Sequence, residues 1–239
     1  MANYFEYFPK VLYNFGNEKT SDVFQNLTVY ADIIDQVKDA KSLYKDYYIQ
    51  DGERPDQVSI KLYGTSTYHW TFFFLNNKLR EQGWPLSNNQ ARRYAIRKYP
   101  NDVITTRTSL TSLTGFFKTG DTVTGRTSGA TSKILHRNLD LGQIMVKGNF
   151  VAGESIETSG TTSLVNVESV SKQYNAAHHY ENTSGFVDID PTVGPGILLT
   201  EVTYLDRVIS QNNNLKQISV FKPESVNEIV KSFRETVSV

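Results

Sequence analysis

Apolar positions along the chain change their period several times, and each change marks an element. Leu43 to Ile49 is aromatic and β-favouring, which predicts a strand. Asp51-Gly52-Glu53 predicts a turn, and Pro55 suits the first position of a helix, where its missing N–H is no loss. Val58 and Leu62 then fall one helical turn apart, and Gly64 stands where a left-handed C-cap is wanted. Thr65 or Ser66 caps a second predicted helix, in which Trp70, Phe73 and Phe74 recur at i, i+3, i+4 and which Asn76-Asn77 ends. A third helix opens on the capping box Ser87-x-x-Gln90 and stops before Pro100. With a return strand, residues 43–100 read as a small βααβ-like module.

The two ends have their own patterns. Residues 1–42 begin as an aromatic arm, with Tyr4, Phe5, Tyr7 and Phe8 followed by Tyr13 and Phe15. The Phe8-Pro9 step argues against a continuous helix, because a residue before proline avoids the α region. Such an arm needs a surface to bury against, either its own core or another subunit. Ser21 or Asp22 is expected to cap a short helix through Val23, Phe24 and Leu27. In residues 196–239, Val202, Leu205, Val208 and Ile209 have helical spacing, and Ile218 and Val220 alternate with polar neighbours as in a strand. The capping box Ser225-x-x-Glu228 opens a last helix with Val226, Ile229, Val230 and Phe233 on one face. That face is either core or a docking surface, and this segment is expected to dock.

Between module and tail the composition changes. Residues 103–172 hold 22 Ser or Thr, and eight of the chain's 15 glycines lie between Gly115 and Gly160. An internal repeat argues for order. Phe117-Lys118-Thr119-Gly120-Asp121-Thr122-Val123 returns as Phe150-Val151-Ala152-Gly153-Glu154-Ser155-Ile156, and Ser128-Gly129-Ala130-Thr131-Ser132 returns as Ser159-Gly160-Thr161-Thr162-Ser163. With apolar strand positions at Ile134-Leu135, Ile144-Met145-Val146 and Val165-x-Val167, residues 113–170 predict a small inserted all-β barrel or two-fold sandwich. Asn175 to Pro195 reads as a surface loop. The fold class is α+β.

Composition narrows the function. Lys plus Arg and Asp plus Glu each count 25, so the basic excess that phosphate binding requires is missing, and no nucleic-acid partner is expected. With no cysteine there is no disulfide framework, thiolate zinc site or Cys nucleophile. No apolar stretch has the length of a membrane helix, and the N-terminus lacks the pattern of a secretory signal, so neither membrane insertion nor that export route is expected.

The run Arg54-Pro55-Asp56-x-Val58-x-x-x-Leu62-Tyr63-Gly64-Thr65, followed by Trp70-x-Phe72-x-x-Leu75-Asn76-Asn77, resembles a LysM-type module. More narrowly it resembles the module of the baseplate wedge protein 53 family of T4-like contractile-tailed phages. The aromatic N-terminus leading to Ser21-Asp22-Val23-Phe24 agrees with that family, as does Asn213-Asn214-Leu215-Lys216-Gln217-Ile218 running into Phe221-Lys222-Pro223. The Thr-rich repeat departs from it. The resemblance implies a structural wedge subunit of the virion tail, assembled in the host cytoplasm, that clamps one wedge to the next as six close around a hub. Implied partners are the core-bundle proteins and the sheath initiator of the same and adjacent wedges. Interface residues are then expected at Tyr4, Phe5, Tyr7 and Phe8 and at Val226, Ile229, Val230 and Phe233.

Catalysis is not expected. No H-E-x-x-H, G-x-S-x-G, P-loop or G-x-G-x-x-G is present, and no cofactor or metal is implied. His178 and His179 are adjacent, and adjacent residues of a strand point to opposite faces, which makes a poor chelate with Glu181 unless they sit in a loop. Asp51, Glu53 and Asp56 lie close enough to be imagined as a glycosidase pair, but acids in a first helical turn are ordinary partners of the helix dipole. The rival reading is a LysM protein that binds peptidoglycan or N-acetylglucosamine polymers. Its groove would lie between Asp51, Gly52, Glu53 and Asn76, Asn77, Lys78. A single module offers little avidity for such a polymer.

Overall fold

The computed structural model describes residues 9–14, 16, 21–26, 41–106, 116–159, 164–189 and 193–237. The fold is mixed α+β and divides into two compact units, Met1–Asn88 with Asn212–Val239, and Asn89–Gln211. No described helix is long and apolar enough to cross a membrane.

The first unit opens on a hairpin of β1 (Lys10–Tyr13) and β2 (Asp22–Gln25), antiparallel, with Val11 opposite Phe24 and Leu12 opposite Val23. The helix expected from Ser21 or Asp22 is thus a strand through Val23 and Phe24. The capping signal there is purely local, and pairing with β-favouring Val11 and Leu12 overrides it; Leu27 lies outside the described residues. Next come β3 (Tyr44–Tyr48), α1 (Pro55–Tyr63), α2 (Trp70–Leu75) and α3 (Asn77–Gln82); α4 (Asn88–Lys98) follows and, from Asn89 on, belongs to the second unit. Pro55 takes the first helical position of α1, the Arg54 N–H donates to Gln57 Oε1 at 3.0 Å, and Gly64 closes the helix at φ 74°. Asn76 ends α2 as expected, but the chain turns at once into α3.

The return strand does not lie between Ile49 and Pro100. It is β14 (Gln217–Phe221), which follows α5 (Tyr204–Lys216) and pairs antiparallel with β3 from Gln217↔Tyr48 to Phe221↔Tyr44. The last helix, α6 (Val226–Val237), follows it. Ile218 and Val220 join Ile49, Val58, Phe72, Leu79 and Leu215 in one core cluster. Phe221 joins Phe74, Leu75, Val226, Val230 and Phe233 in a second. Two strands alone are marginal in water; here helices cover the apolar positions of β14.

The second unit is built on one sheet of seven strands. In chain order they are β4 (Asp102–Thr106), β5 (Thr122–Gly125), β6 (Thr131–Lys133), β7 (His136–Asn138), β8 (Gln143–Val146), β9 (Ser155–Thr158) and β10 (Val165–Lys172), and they lie side by side as β6-β5-β9-β10-β4-β8-β7. The internal repeat is visible as two equivalent turns. Gly120 and Gly153 both have positive φ, 96° and 83°. Asp121 accepts the Lys118 N–H at 2.8 Å, and Glu154 accepts the Val151 N–H at 2.8 Å. The strands that follow, β5 and β9, pair antiparallel with each other, so the two copies meet back to back. The described residues contain no closed barrel: β6 and β7 remain at opposite ends of the sheet. Nor do residues 113–170 make the sheet alone. β4 precedes that range, yet it lies between β10 and β8 and places Ile104 in the core with Val123, Ile144, Ile156 and Val165.

Residues expected as a surface loop form strands instead. β11 (Ala177–Asn182) pairs with β12 (Gly185–Val187) on one side and with β13 (Thr200–Thr203) on the other. Their polar sequences hide the pattern, because much of this small sheet stays partly accessible.

Candidate interaction surfaces

The two loops expected to flank a glycan groove are occupied by the chain itself. Asp51 Oδ1 accepts the Asn88 N–H at 2.9 Å and faces Lys216 Nζ at 3.7 Å. Gly52 makes the turn at φ 79°. Glu53 Oε2 accepts from the Tyr47 hydroxyl and the Gln50 N–H, each at 2.9 Å, and Oε1 accepts from Lys61 Nζ at 2.9 Å. Burial alone would raise the Glu53 carboxyl, but the hydrogen bonds from Lys61, Gln50 and Tyr47 outweigh it and hold the group below its ordinary value. It is an ionised anchor, unlike the raised-pKa acid a glycosidase needs. Across from it, Asn76 is buried and bonds Phe72 and Ser219, Asn77 Oδ1 accepts from Arg80, and Lys78 Nζ donates to the Asn214 carbonyl. Both loops are therefore tied to the stretch Asn214–Lys216, and the Ile49 N–H also donates to the Lys216 carbonyl at 2.8 Å.

The apolar face of α6 is not exposed. Val226, Val230 and Phe233 are buried, and Ile229 is partly buried beside them. The Phe233 ring lies 4.9 Å from that of Trp70 and 5.4 Å from that of Phe74, centroid to centroid. The docking stripe expected there packs within its own unit, because the aromatic face of α2 supplies a matching surface. A groove of 260 Å³ remains beside it, bordered by Leu43, Trp70, Ile229 and Phe233. Tyr4, Phe5, Tyr7 and Phe8 lie outside the described residues.

What is exposed is the hairpin. Every residue of β1 and β2 is accessible. Leu12 is 70% and Val23 60% exposed, with Val11, Tyr13 and Phe24 also on the surface. Tyr13 and Phe24 meet edge to face at 6.4 Å. Five large apolar side chains on two short strands are an unusual load for water to carry, and such patches mark interaction sites.

Residues 2–106, which contain this hairpin and both loops, match the family model described as base plate wedge protein 53. This part of the chain, under half of its length, is similar to that family. A search of curated proteins finds no match. The family's name makes its members phage baseplate wedge proteins, structural components of the virion tail baseplate that associate with other baseplate components. The wedge-protein match takes in β1 to β4, whereas β14 and α6, which complete the core of the first unit, lie beyond it.

One cluster outside the wedge-protein match, His178 and His179 with Glu181, is arranged differently from the sequence expectation. The pairing of β11 with β13 shifts register between Ala177 and His179, a β-bulge that breaks the alternation of side chains. His178 and His179 therefore do not point apart. Their Nδ1 atoms lie 2.8 Å from each other, His179 Nε2 lies 2.7 Å from Glu181 Oε1, and Arg207 contacts His178 Nε2. Burial, then the charge of Arg207 and the neighbouring His179, push His178 below its ordinary value. Among the described residues no group of three or more His, Cys, Asp or Glu is placed to hold a metal ion.

Proposed function

We propose that this chain is a structural wedge subunit of a contractile phage tail that clamps neighbouring wedges together as the baseplate ring closes. The observation that carries this reading is the β1–β2 hairpin, exposed and apolar inside the span that matches the wedge family. An isolated two-stranded hairpin is marginally stable in water and gains order by packing on something else. The N-terminal aromatics Tyr4, Phe5, Tyr7 and Phe8 precede β1 in sequence and would extend the proposed contact. Its partners would be core-bundle and sheath-initiator subunits of its own and the adjacent wedge, in a six-fold assembly. Val226, Val230 and Phe233 are left out of the contact, since their own unit already buries them. The glycan-binding reading has less support, because the polar groups of its loops are spent on internal bonds.

The test is assembly with a charged hairpin. Leu12→Asp with Val23→Lys, opposite charges on directly paired positions, should leave the isolated protein folded by circular dichroism, as both side chains face solvent. Mixed with the other wedge components, the variant should yield separate wedges and few closed rings in electron micrographs. Complete rings at the wild-type yield would remove the hairpin from the clamp.

A further inference from the structure

The Arg207, His178, His179 and Glu181 side chains form a chain of contacts whose proton positions are dictated by its ends. An arginine guanidinium only donates, so His178 Nε2, which it contacts, must be the bare acceptor nitrogen. The His178 proton then sits on Nδ1 and is donated to His179 Nδ1, 2.8 Å away. His179 in turn carries its proton on Nε2 and donates it to the Glu181 carboxylate at 2.7 Å. Every link thus points the same way, from Arg207 to Glu181, with both imidazoles neutral and in opposite tautomers.

We propose that these four residues are a proton-locked latch, closed between α5 and β11 when both histidines are neutral and opened at Arg207 by the addition of one proton. A proton placed on His178 Nε2 displaces the arginine directly.

Among the described groups that pack on the pair, the nearby carboxylates already accept bonds from other residues. On α5, Tyr204 meets the His178 ring edge to face at 4.9 Å, and Asp206 is engaged by the Thr203 N–H and hydroxyl. On β12, Phe186 stacks on His179 at 5.4 Å. On β13, the Glu201 carboxylate faces the Tyr180 hydroxyl at 3.3 Å. The bulge that aligns the rings is pinned separately, by Gln143 Nε2 donating to the Ala177 carbonyl at 3.1 Å and by the Tyr204 N–H donating to the Ala176 carbonyl at 3.2 Å. Acid should therefore loosen the arginine contact first.

The full chain labelled with 15N-histidine tests this without any substitution. At pH 8 the long-range proton–nitrogen couplings should show His178 as the Nδ1–H tautomer and His179 as the Nε2–H tautomer. Both rings in the same tautomer would overturn the latch. Hydrogen exchange supplies the second reading. Protection of the amides in the first turns of α5, corrected for the intrinsic pH effect, should fall about tenfold between pH 8 and pH 5, the loss expected for one charge-assisted hydrogen bond. Arg207→Met, at an exposed position, should show the lower protection at both pH values. An acid response in that variant equal to wild type would place the switch elsewhere and end the proposal.

Discussion

Asn76 bonds Ser219 in both directions: its Nδ2 donates to the Ser219 carbonyl at 2.8 Å, and its Oδ1 accepts the Ser219 N–H at 2.9 Å. A side-chain amide thus stands in for a third strand beside β14, and it ties the end of α2 to a residue 143 positions later in the chain.

Removing that amide takes the side-chain partner from both the N–H and the carbonyl of the half-buried Ser219. Asn76→Ala should cost roughly 1–3 kcal/mol, the scale for losing one buried polar group's partners, since Ser219 is only half-buried. Asn76→Asp should be damaging too, since it keeps the acceptor for the Ser219 N–H but sets a carboxylate against the Ser219 carbonyl. Urea denaturation of the three proteins checks the order, with wild type most stable.

Phe233 is 3% exposed and lies against Trp70 and Phe74. Phe233→Ala should destabilise the first unit by about 3–5 kcal/mol, the range for emptying a large aromatic site in a core. The loss should appear in the thermal midpoint of the isolated protein, before any partner is added. An unchanged midpoint would return this residue to the list of docking candidates.

In the second unit the buried Glu154 carboxylate accepts N–H bonds from Ser128, Val151 and Thr127 and a hydroxyl bond from Ser128. Burial pushes its pKa up, but these donors overcome that and hold it below the ordinary 4.5. A carboxyl with a depressed folded pKa contributes stability that is complete above the unfolded value and disappears as pH falls through the folded one. Stability of wild type should therefore decline below about pH 4.5 more steeply than that of Glu154→Gln. The variant should be weaker by roughly 1.5–3 kcal/mol at pH 7, the worth of hydrogen bonds to a charged group. Melting curves from pH 7 to pH 3 measure both effects. Gly125 belongs to the same arrangement, because a Cβ there would come within 2.5 Å of Glu154 Oε2 and the Ser128 hydroxyl.

Much of this was legible in the residues because it depends on short-range chemistry. Pro55 and Gly64 bracket α1 through their own φ preferences, and Ser225-x-x-Glu228 anticipates α6 at its first turn. The repeat around Gly120-Asp121 and Gly153-Glu154 was readable for the same reason, since each acid bonds an N–H three residues back. What escaped was pairing at a distance. Nothing local marks β14 as the partner of β3, or β4 as a central strand of a sheet completed 60 residues later by β10. The hairpin was missed because Ser21-Asp22 imitates a helix cap. The histidine chain is not legible in the residues, because their polar sequence reads as a loop and the bulge at Ala177–His179 cancels the alternation a strand would impose. The apolar face of α6 was seen correctly as a face, but amphipathicity alone does not say whether the surface it meets belongs to the same chain.

The clamp itself is tested most directly by hydroxyl-radical footprinting of this subunit, free in solution and within intact baseplates. Leu12, Tyr13, Val23 and Phe24 are exposed in the isolated chain and should label readily there. If the hairpin holds one wedge to the next, labelling at these four residues should drop sharply in the assembled ring while surface residues of the second unit, such as Val151 and Leu164, change less. Equal labelling of the hairpin in the free and assembled states would contradict the account.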